Sequence, residues 1–312
     1  MSWKHWACCA TAALALVAAS PERTELRFRW PETAKAKVRY TVERSRVQQN
    51  GATSSTKGTS GYDLLVRHRG DQLIVERVLS KTPRDPGPTR PDGTPLPGVE
   101  PLQTLIDDAA ERIPILVVDA GGELVSVEGT EPIRAELEKI LASSSLSLTA
   151  QETVRSIFTD KALASIAKQQ WSVWVGIWKG QVLETGRPYT QKRRGQFPGT
   201  RYDVGLVVET RLAGYVPCHP PAKDRRCVEL HLESRADPED VARTIERLNL
   251  SATTGIRDLK LEQSFTVVAE PGTLLPHRCT RSLVSEIEHA PGSGGAPRSQ
   301  KLLETWEFDY AP

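Results

Sequence analysis

The feature that most constrains the fold is a helical stretch, Glu131 to Trp178, with β-type sequence on both sides. Its first part repeats Ile133, Leu137 and Leu141 at the spacing of one apolar helix face. Thr130 precedes it and is expected to be the N-cap, because a hydroxyl can accept from a free N–H of the first turn. A helix of this length between two β-rich regions indicates an α+β chain.

A second helix is expected to begin at Thr149–Glu152, which has the pattern of a capping box. The helical pattern then leads into Trp171, Trp174 and Trp178, which lie at helical spacing on one stripe. Such a stripe indicates burial in the core, since each aromatic side chain buries about 150–250 Å². It is also compatible with the wall of an apolar cavity, in which Phe158 would join the three tryptophans. Both interpretations stay open.

The two flanks have the alternation of long antiparallel strands. We expect β-blocks at 22–127 and 199–310, forming a curved sheet or half-barrel packed on the central helical segment 131–178. All-β chains often exceed about 150 residues per domain, so residues 20–312 are predicted to form a single domain. The stretch 82–101 contains seven prolines and is interpreted as a solvated connection or a binding loop.

Three smaller elements complete the prediction. Residues 102–112 are expected to form a short helix, and the basic run 186–199 is expected to be a solvated loop. Asp237–Asp240 is expected to open a further helix, because acidic residues in a first turn suit the helix dipole.

The N-terminus resembles an export signal. Lys4 precedes a thirteen-residue apolar run, Ala7 to Ala19, and small residues before the end of the run place cleavage after Ala19. Cys8 and Cys9 open the run, whereas a lipidated cysteine should follow it. We therefore expect residues 1–19 to be a signal peptide and the mature chain to be periplasmic or extracellular, with no transmembrane span.

Export permits disulfides, and Cys218 and Cys227 flank a short loop between two strand-like runs. We expect them to be bonded and Cys279 to be a buried, inert thiol. A zinc site formed by the two cysteines with His219 and His231 is the less favoured alternative, because the spacing fits no standard zinc motif.

No other catalytic or cofactor motif is found. Asp119–Gly121 resembles the Asp-Thr-Gly loop of aspartic proteases, but the chain has no second matching loop, and Asp-x-Gly is ordinary in hairpins. A formal net charge of +2 argues against general nucleic-acid binding. We expect no catalytic residues, no cofactor and no resident metal.

Taken together, Val117–Gly129, Trp171–Trp178 and the hairpin Phe265–Ile287 resemble the corresponding parts of uncharacterised bacterial exported proteins. The same outline is similar to the bacterial lipoprotein-carrier fold, a curved antiparallel half-barrel closed by helices. That resemblance implies a concave apolar cavity and no catalytic residue.

The sequence therefore predicts a non-catalytic protein of the cell envelope that binds a lipid or another apolar ligand between sheet and helices. The alternative is an interaction module that engages another envelope protein through a sheet edge or the proline-rich loop. A hydrolase ranks last, because no nucleophile and base are paired in the sequence.

Overall fold

The computed structural model describes residues 22–47, 53–79, 114–144, 146–198, 200, 202–218, 226–290 and 298–310. The predicted signal peptide 1–19, the proline-rich stretch 82–101 and the predicted helix 102–112 lie outside these residues. The described strands are β1 (Arg23–Glu25), β2 (Thr33–Val47), β3 (Thr53–Arg69), β4 (Gln72–Leu79), β5 (Ile115–Val118), β6 (Leu124–Glu128), β7 (Val182–Glu184), β8 (Pro188–Gln196), β9 (Asp203–Pro217), β10 (Arg226–Ala236), β11 (Ile256–Ala269), β12 (Pro276–His289) and β13 (Arg298–Tyr310).

The helices are α1 (Thr130–Ser143), α2 (Leu148–Ile157), α3 (Asp160–Trp171), α4 (Pro238–Arg247) and the short α5 (Leu250–Thr253), and a π-helical turn, Ser172–Gly176, continues α3. Helix α4 begins where it was predicted, and Asp237 caps it by accepting from the Glu239 N–H. The two predicted caps, Thr130 and Thr149, were wrong. Gly129, at φ 77°, is the N-cap of α1, and Ser147 caps α2 by accepting from the Ala150 N–H.

The β-rich flanks form one antiparallel sheet. Among the described residues its eleven strands have the order β6-β5-β4-β3-β2-β13-β12-β11-β10-β9-β8. Pairing of β2 with the C-terminal β13, from Val47 opposite Ser299 to Ala36 opposite Tyr310, joins the two blocks into a continuous sheet. Strands β1 and β7 form a separate two-stranded ribbon.

The basic run 186–199, predicted to be a loop, contains the edge strand β8, which pairs with β9 along its length. The prediction was wrong because the run has almost no apolar alternation, and β8 needs none: its side chains are mostly exposed. Charged residues such as Lys192, Arg193 and Arg194 are common on edge strands, where they discourage pairing with another chain.

Two apolar clusters lie on the same face of the sheet. The main cluster contains Val38, Trp306 and Val267 from three strands, together with the tryptophans of α3 and of the residues that follow it. The second cluster contains Leu283 and Leu302 and is covered by α4.

Helices α1 and α2 have an apolar cluster of their own. Ile133, Leu137, Leu141, Val154, Phe158 and Leu163 form it, whereas Ala167 and Trp171, near the end of α3, belong to the main cluster of the sheet. The helical segment therefore contributes to two separate cores. No helix in the described part of the chain is both long and apolar enough to cross a membrane.

Candidate functional site

The three predicted tryptophans all lie in the main cluster, and each is at most 2% exposed. Two of the indoles bond to the backbone. Trp171 Nε1 donates to the Gly122 carbonyl oxygen at 3.0 Å, and Trp178 Nε1 donates to that of Val173 at 2.9 Å. Trp174 differs, because its buried Nε1 has no hydrogen-bond partner. Trp171 and Trp178 thus fix the chain that follows α3, and Trp174 presents an unused donor.

Phe158, the fourth predicted residue, lies in the separate helical cluster and not beside the tryptophans. It borders a cleft of ≈ 620 Å³ between α1, α2 and α3. Four of the charged residues that line the cleft form two ion pairs: Arg134 with Asp160 at 2.7 Å, and Arg155 with Glu138 at 2.9 Å. Ion pairs of this exposed kind contribute about 0–1 kcal/mol and indicate an ordinary surface.

A group of charged side chains instead lies on the buried face of the sheet. Tyr40 and Arg44 are four residues apart on β2 and therefore lie on the same face of the strand. Glu304 on β13 lies directly opposite Arg281 on β12. Strand β4 pairs with β3, and β3 pairs with β2; this register places Arg77 of β4 on the same face of the sheet as Tyr40 and Arg44. We call Arg44, Arg77 and Arg281, with Tyr40 and Glu304, the arginine cluster. Along β12, Arg281 lies between Cys279 of the main apolar cluster and Leu283 of the second apolar cluster.

Glu304 bonds to two members of the cluster. The Tyr40 hydroxyl donates to Glu304 Oε1 at 2.7 Å, and Arg281 Nη1 donates to Glu304 Oε2 at 3.1 Å. The Arg281 and Glu304 side chains are each only 14% exposed. Burial, and secondarily the Glu304 carboxylate, raise the pKa of Tyr40 far above its ordinary value. Tyr40 is therefore a neutral donor at any physiological pH.

Arg77 lies between aromatic rings. Its guanidinium carbon is 4.3 Å from the centre of the Tyr62 ring and 5.2 Å from that of Trp174. Burial lowers the pKa of Arg77, and burial also raises the pKa of Tyr62 to about 12. The arginine nevertheless stays charged at neutral pH, because a guanidinium is not deprotonated in folded proteins.

Each arginine of the cluster has a buried N–H without a hydrogen-bond partner. The atoms are Arg44 Nε, Arg77 Nη2 and Arg281 Nε, and the neighbouring Tyr62 Oη and Trp174 Nε1 are also unpartnered. An unsatisfied buried donor costs about 1–3 kcal/mol, and more when it is charged. Glu304 is the carboxylate that accepts hydrogen bonds within the described cluster. The remaining donors on the three arginines are suited to an anionic acceptor.

The predicted disulfide is present between Cys218 and Cys227. Cys279 is a free, fully buried thiol, as expected, and burial raises its pKa well above the ordinary value. Of the two histidines considered with the cysteines, His219 lies outside the described residues and His231 bonds to Glu229 at 2.6 Å. A different histidine, His277, lies beside the disulfide.

The basic side chains of β8 line a second cleft, of ≈ 320 Å³, against α4. Lys192 Nζ donates to Asp237 at 2.8 Å, and Arg194 lies 3.5 Å from Asp240. Asp240 also accepts from the Gly205 N–H at 2.6 Å, and this bond, with Arg194 and Arg243 nearby, lowers its pKa. Two aspartates thus offset the basic run, and the cleft is less suited to an anion than the arginine cluster.

Sequence reasoning missed the arginine cluster, although the strands carried a signal for it. Arg77 continues the alternation of Leu73 and Val75, and Arg44 continues that of Tyr40 and Val42. An arginine in the apolar phase of a strand points toward the core, where charges are almost never buried without a partner. Only the sheet order shows that β4, β2 and β12 bring these arginines onto one face.

No protein-family model matches the chain, and comparison with curated proteins gave no match.

Proposed function

We propose that the protein is a non-catalytic, exported binding protein that holds an anionic amphiphile, with a carboxylate or phosphate head, at the arginine cluster. The observation that carries the proposal is the set of buried, unpartnered N–H groups on Arg44, Arg77 and Arg281. Each of these N–H groups lost its hydration on folding, and an anionic head group beside Arg77 would restore a missing bond there.

The apolar part of the ligand is assigned by the surroundings of the head group. Arg77 lies over the rings of Tyr62 and Trp174, and Tyr40 stacks on Trp306 with ring centres 5.3 Å apart. An aromatic neighbourhood with a few convergent polar groups is the usual composition of a small-molecule site. Among the predicted ligand residues, Trp174 is the one this proposal retains, because its indole N–H is unpartnered.

We further infer that the long strands curve into a half-barrel with the arginine cluster on the concave side, and that residues 20–312 fold as one domain. Adjacent strands rotate by about 20–25°, so an eleven-stranded sheet accumulates considerable twist. The continuity of the sheet from β6 to β8 supports a single domain. The Cys218–Cys227 disulfide supports export, since such bonds persist in oxidising compartments.

Native mass spectrometry of the full chain, purified without detergent, tests the proposal. We expect a bound mass that organic extraction releases as an anionic amphiphile. Palmitate and a lysophospholipid should then rebind to the stripped protein, and the tighter of the two identifies a carboxylate or a phosphate head.

The decisive variant is Arg77→Met, which removes one cation and keeps an apolar side chain of similar length. It should weaken binding of the preferred probe at least tenfold, since a charge-assisted hydrogen bond is stabilising by about 1.5–3 kcal/mol. Arg67→Met is the matched control, because Arg67 lies on the neighbouring strand and is 62% exposed in a pair with Glu76. Equal binding by both variants, or a wild-type chain that binds neither probe, would refute the proposal.

A further inference from the structure

Three side chains that can ligate a metal meet at one end of the sheet. Cys218 follows β9, Cys227 is near the start of β10, and His277 is near the start of β12. One ligand atom from each lies within 4.8 Å of the others. All three residues are at most 3% exposed.

We propose that reduction of the Cys218–Cys227 disulfide creates a Zn²⁺ site formed by the two cysteine thiolates and His277. Zinc is bound in proteins at about 2.3 Å from sulfur and 2.0–2.1 Å from nitrogen. Ligands around a tetrahedral zinc are therefore about 3.5–4 Å apart, and atoms already within 4.8 Å of one another need only small side-chain rotations to reach that arrangement.

Glu270 gives the histidine a metal-site environment. Its Oε1 atom is 3.3 Å from His277 Nε2, and its Oε2 atom accepts from the Thr273 hydroxyl at 3.0 Å. A carboxylate that holds one imidazole nitrogen fixes the ring and makes it a better ligand. In this arrangement Glu270 is a positioning residue, and the fourth coordination position is left for water.

The two states of the site exclude each other, because disulfide and metal use the same sulfur atoms. A dithiol reductant breaks the Cys218–Cys227 bond, takes up the sulfur–sulfur bond itself, and leaves two protonated thiols. Zn²⁺ then displaces both thiol protons as it binds, since the thiolate is the ligand. The chain therefore binds the metal only in its reduced form.

Cobalt titration of the full chain tests the inference. The protein is reduced with dithiothreitol, freed of reductant without oxygen, and titrated with Co²⁺ alone, whose thiolate complexes absorb in the near ultraviolet. We expect one Co²⁺ per chain, displaced by Zn²⁺, and no thiolate band in the oxidised protein. Glu270→Gln should weaken binding about 10–100-fold, and His277→Ala should weaken it further.

Matched controls separate this site from general thiol or imidazole binding. His231→Ala removes a partly buried histidine of β10, and Cys279→Ala removes the free cysteine of the described residues; both variants should bind Co²⁺ as the wild type does. Bound Zn²⁺ should also protect Cys218 and Cys227 from alkylation. Unchanged binding by His277→Ala would overturn the inference, as would a reduced chain that loses its β-sheet circular dichroism or gives no thiolate band.

Discussion

Replacing Arg281 and Arg77 of the arginine cluster by methionine, one at a time, should change the stability of the protein in opposite directions. Arg281 bonds to Glu304 at 3.1 Å, with both side chains 14% exposed. Removing one partner of such a buried pair leaves an uncompensated charge and costs about 3–5 kcal/mol. Arg281 Nε is also buried without a partner, and its removal offsets about 1–3 kcal/mol, so Arg281→Met should lower the free energy of unfolding by about 2 kcal/mol at the middle of these ranges.

Arg77→Met should behave differently. Nη2 of Arg77 is buried without a partner, so the substitution removes a penalty of about 1–3 kcal/mol. It also removes the contacts with the Tyr62 and Trp174 rings, which are stabilising by about 0.5–2 kcal/mol. The net effect on the ligand-free protein lies between a loss of about 1 kcal/mol and a gain of about 2.5 kcal/mol, with a gain of about 1 kcal/mol at the middle of these ranges. At the middle of these ranges the two variants differ by about 3 kcal/mol, a factor of roughly a hundred in the folding equilibrium.

Urea denaturation of ligand-stripped protein, with unchanged m values, provides the comparison. Arg67→Met serves as the control and should stay within about 1 kcal/mol of the wild type, as expected for an exposed ion pair. If Arg77→Met destabilises the protein as much as Arg281→Met does, then the Arg77 guanidinium is satisfied within the fold. The arginine cluster would then have no unmet need for an anionic ligand.

Three further outcomes are expected. Gly122→Ala should destabilise the protein clearly more than Gly180→Ala in thermal unfolding. Both glycines have positive φ, but a Cβ at Gly122 would meet a phenyl ring at 2.6 Å, whereas a Cβ at Gly180 would have no atom within 4 Å. Cys279 should react with maleimide only after denaturation, because burial raises its pKa and excludes the reagent; labelling of the native chain at pH 8 would contradict this. The pKa of Asp240 is lowered, so its stabilising effect is present above about pH 4 and is lost as the pH falls further. Asp240→Asn should therefore lose less stability than the wild type on acidification. An equal loss in both proteins would contradict the contact with Gly205.

Local patterns predicted the strands well where one face is buried. The alternation of Val38, Tyr40 and Val42, and that of Leu73 and Val75, indicated β2 and β4, because side chains of a half-buried strand repeat with period two. The same patterns failed for β8, whose exposed side chains leave no apolar phase to recognise. Its existence depends on hydrogen bonds to β9, which the side chains of β8 do not encode.

Cap positions were the least predictable local feature. Several hydroxyl residues near a helix start satisfy the same pattern, and Ser147 competes with Thr149 two residues away. Gly129 was missed because its role depends on positive φ, which the connection from β6 to α1 requires. Backbone geometry at these junctions is decided by the elements on both sides.

Local sequence patterns were enough to predict an α+β chain with long antiparallel strands and one short-range disulfide, because each depends on contacts or periodicity within a few residues. Arg44, Arg77 and Arg281 are seen to share a face, and His277 to lie beside Cys218 and Cys227, only once the chain is folded. Both sites join residues from strands far apart in the chain. Strand order and register place them together, and these depend on long-range pairing that no local pattern specifies.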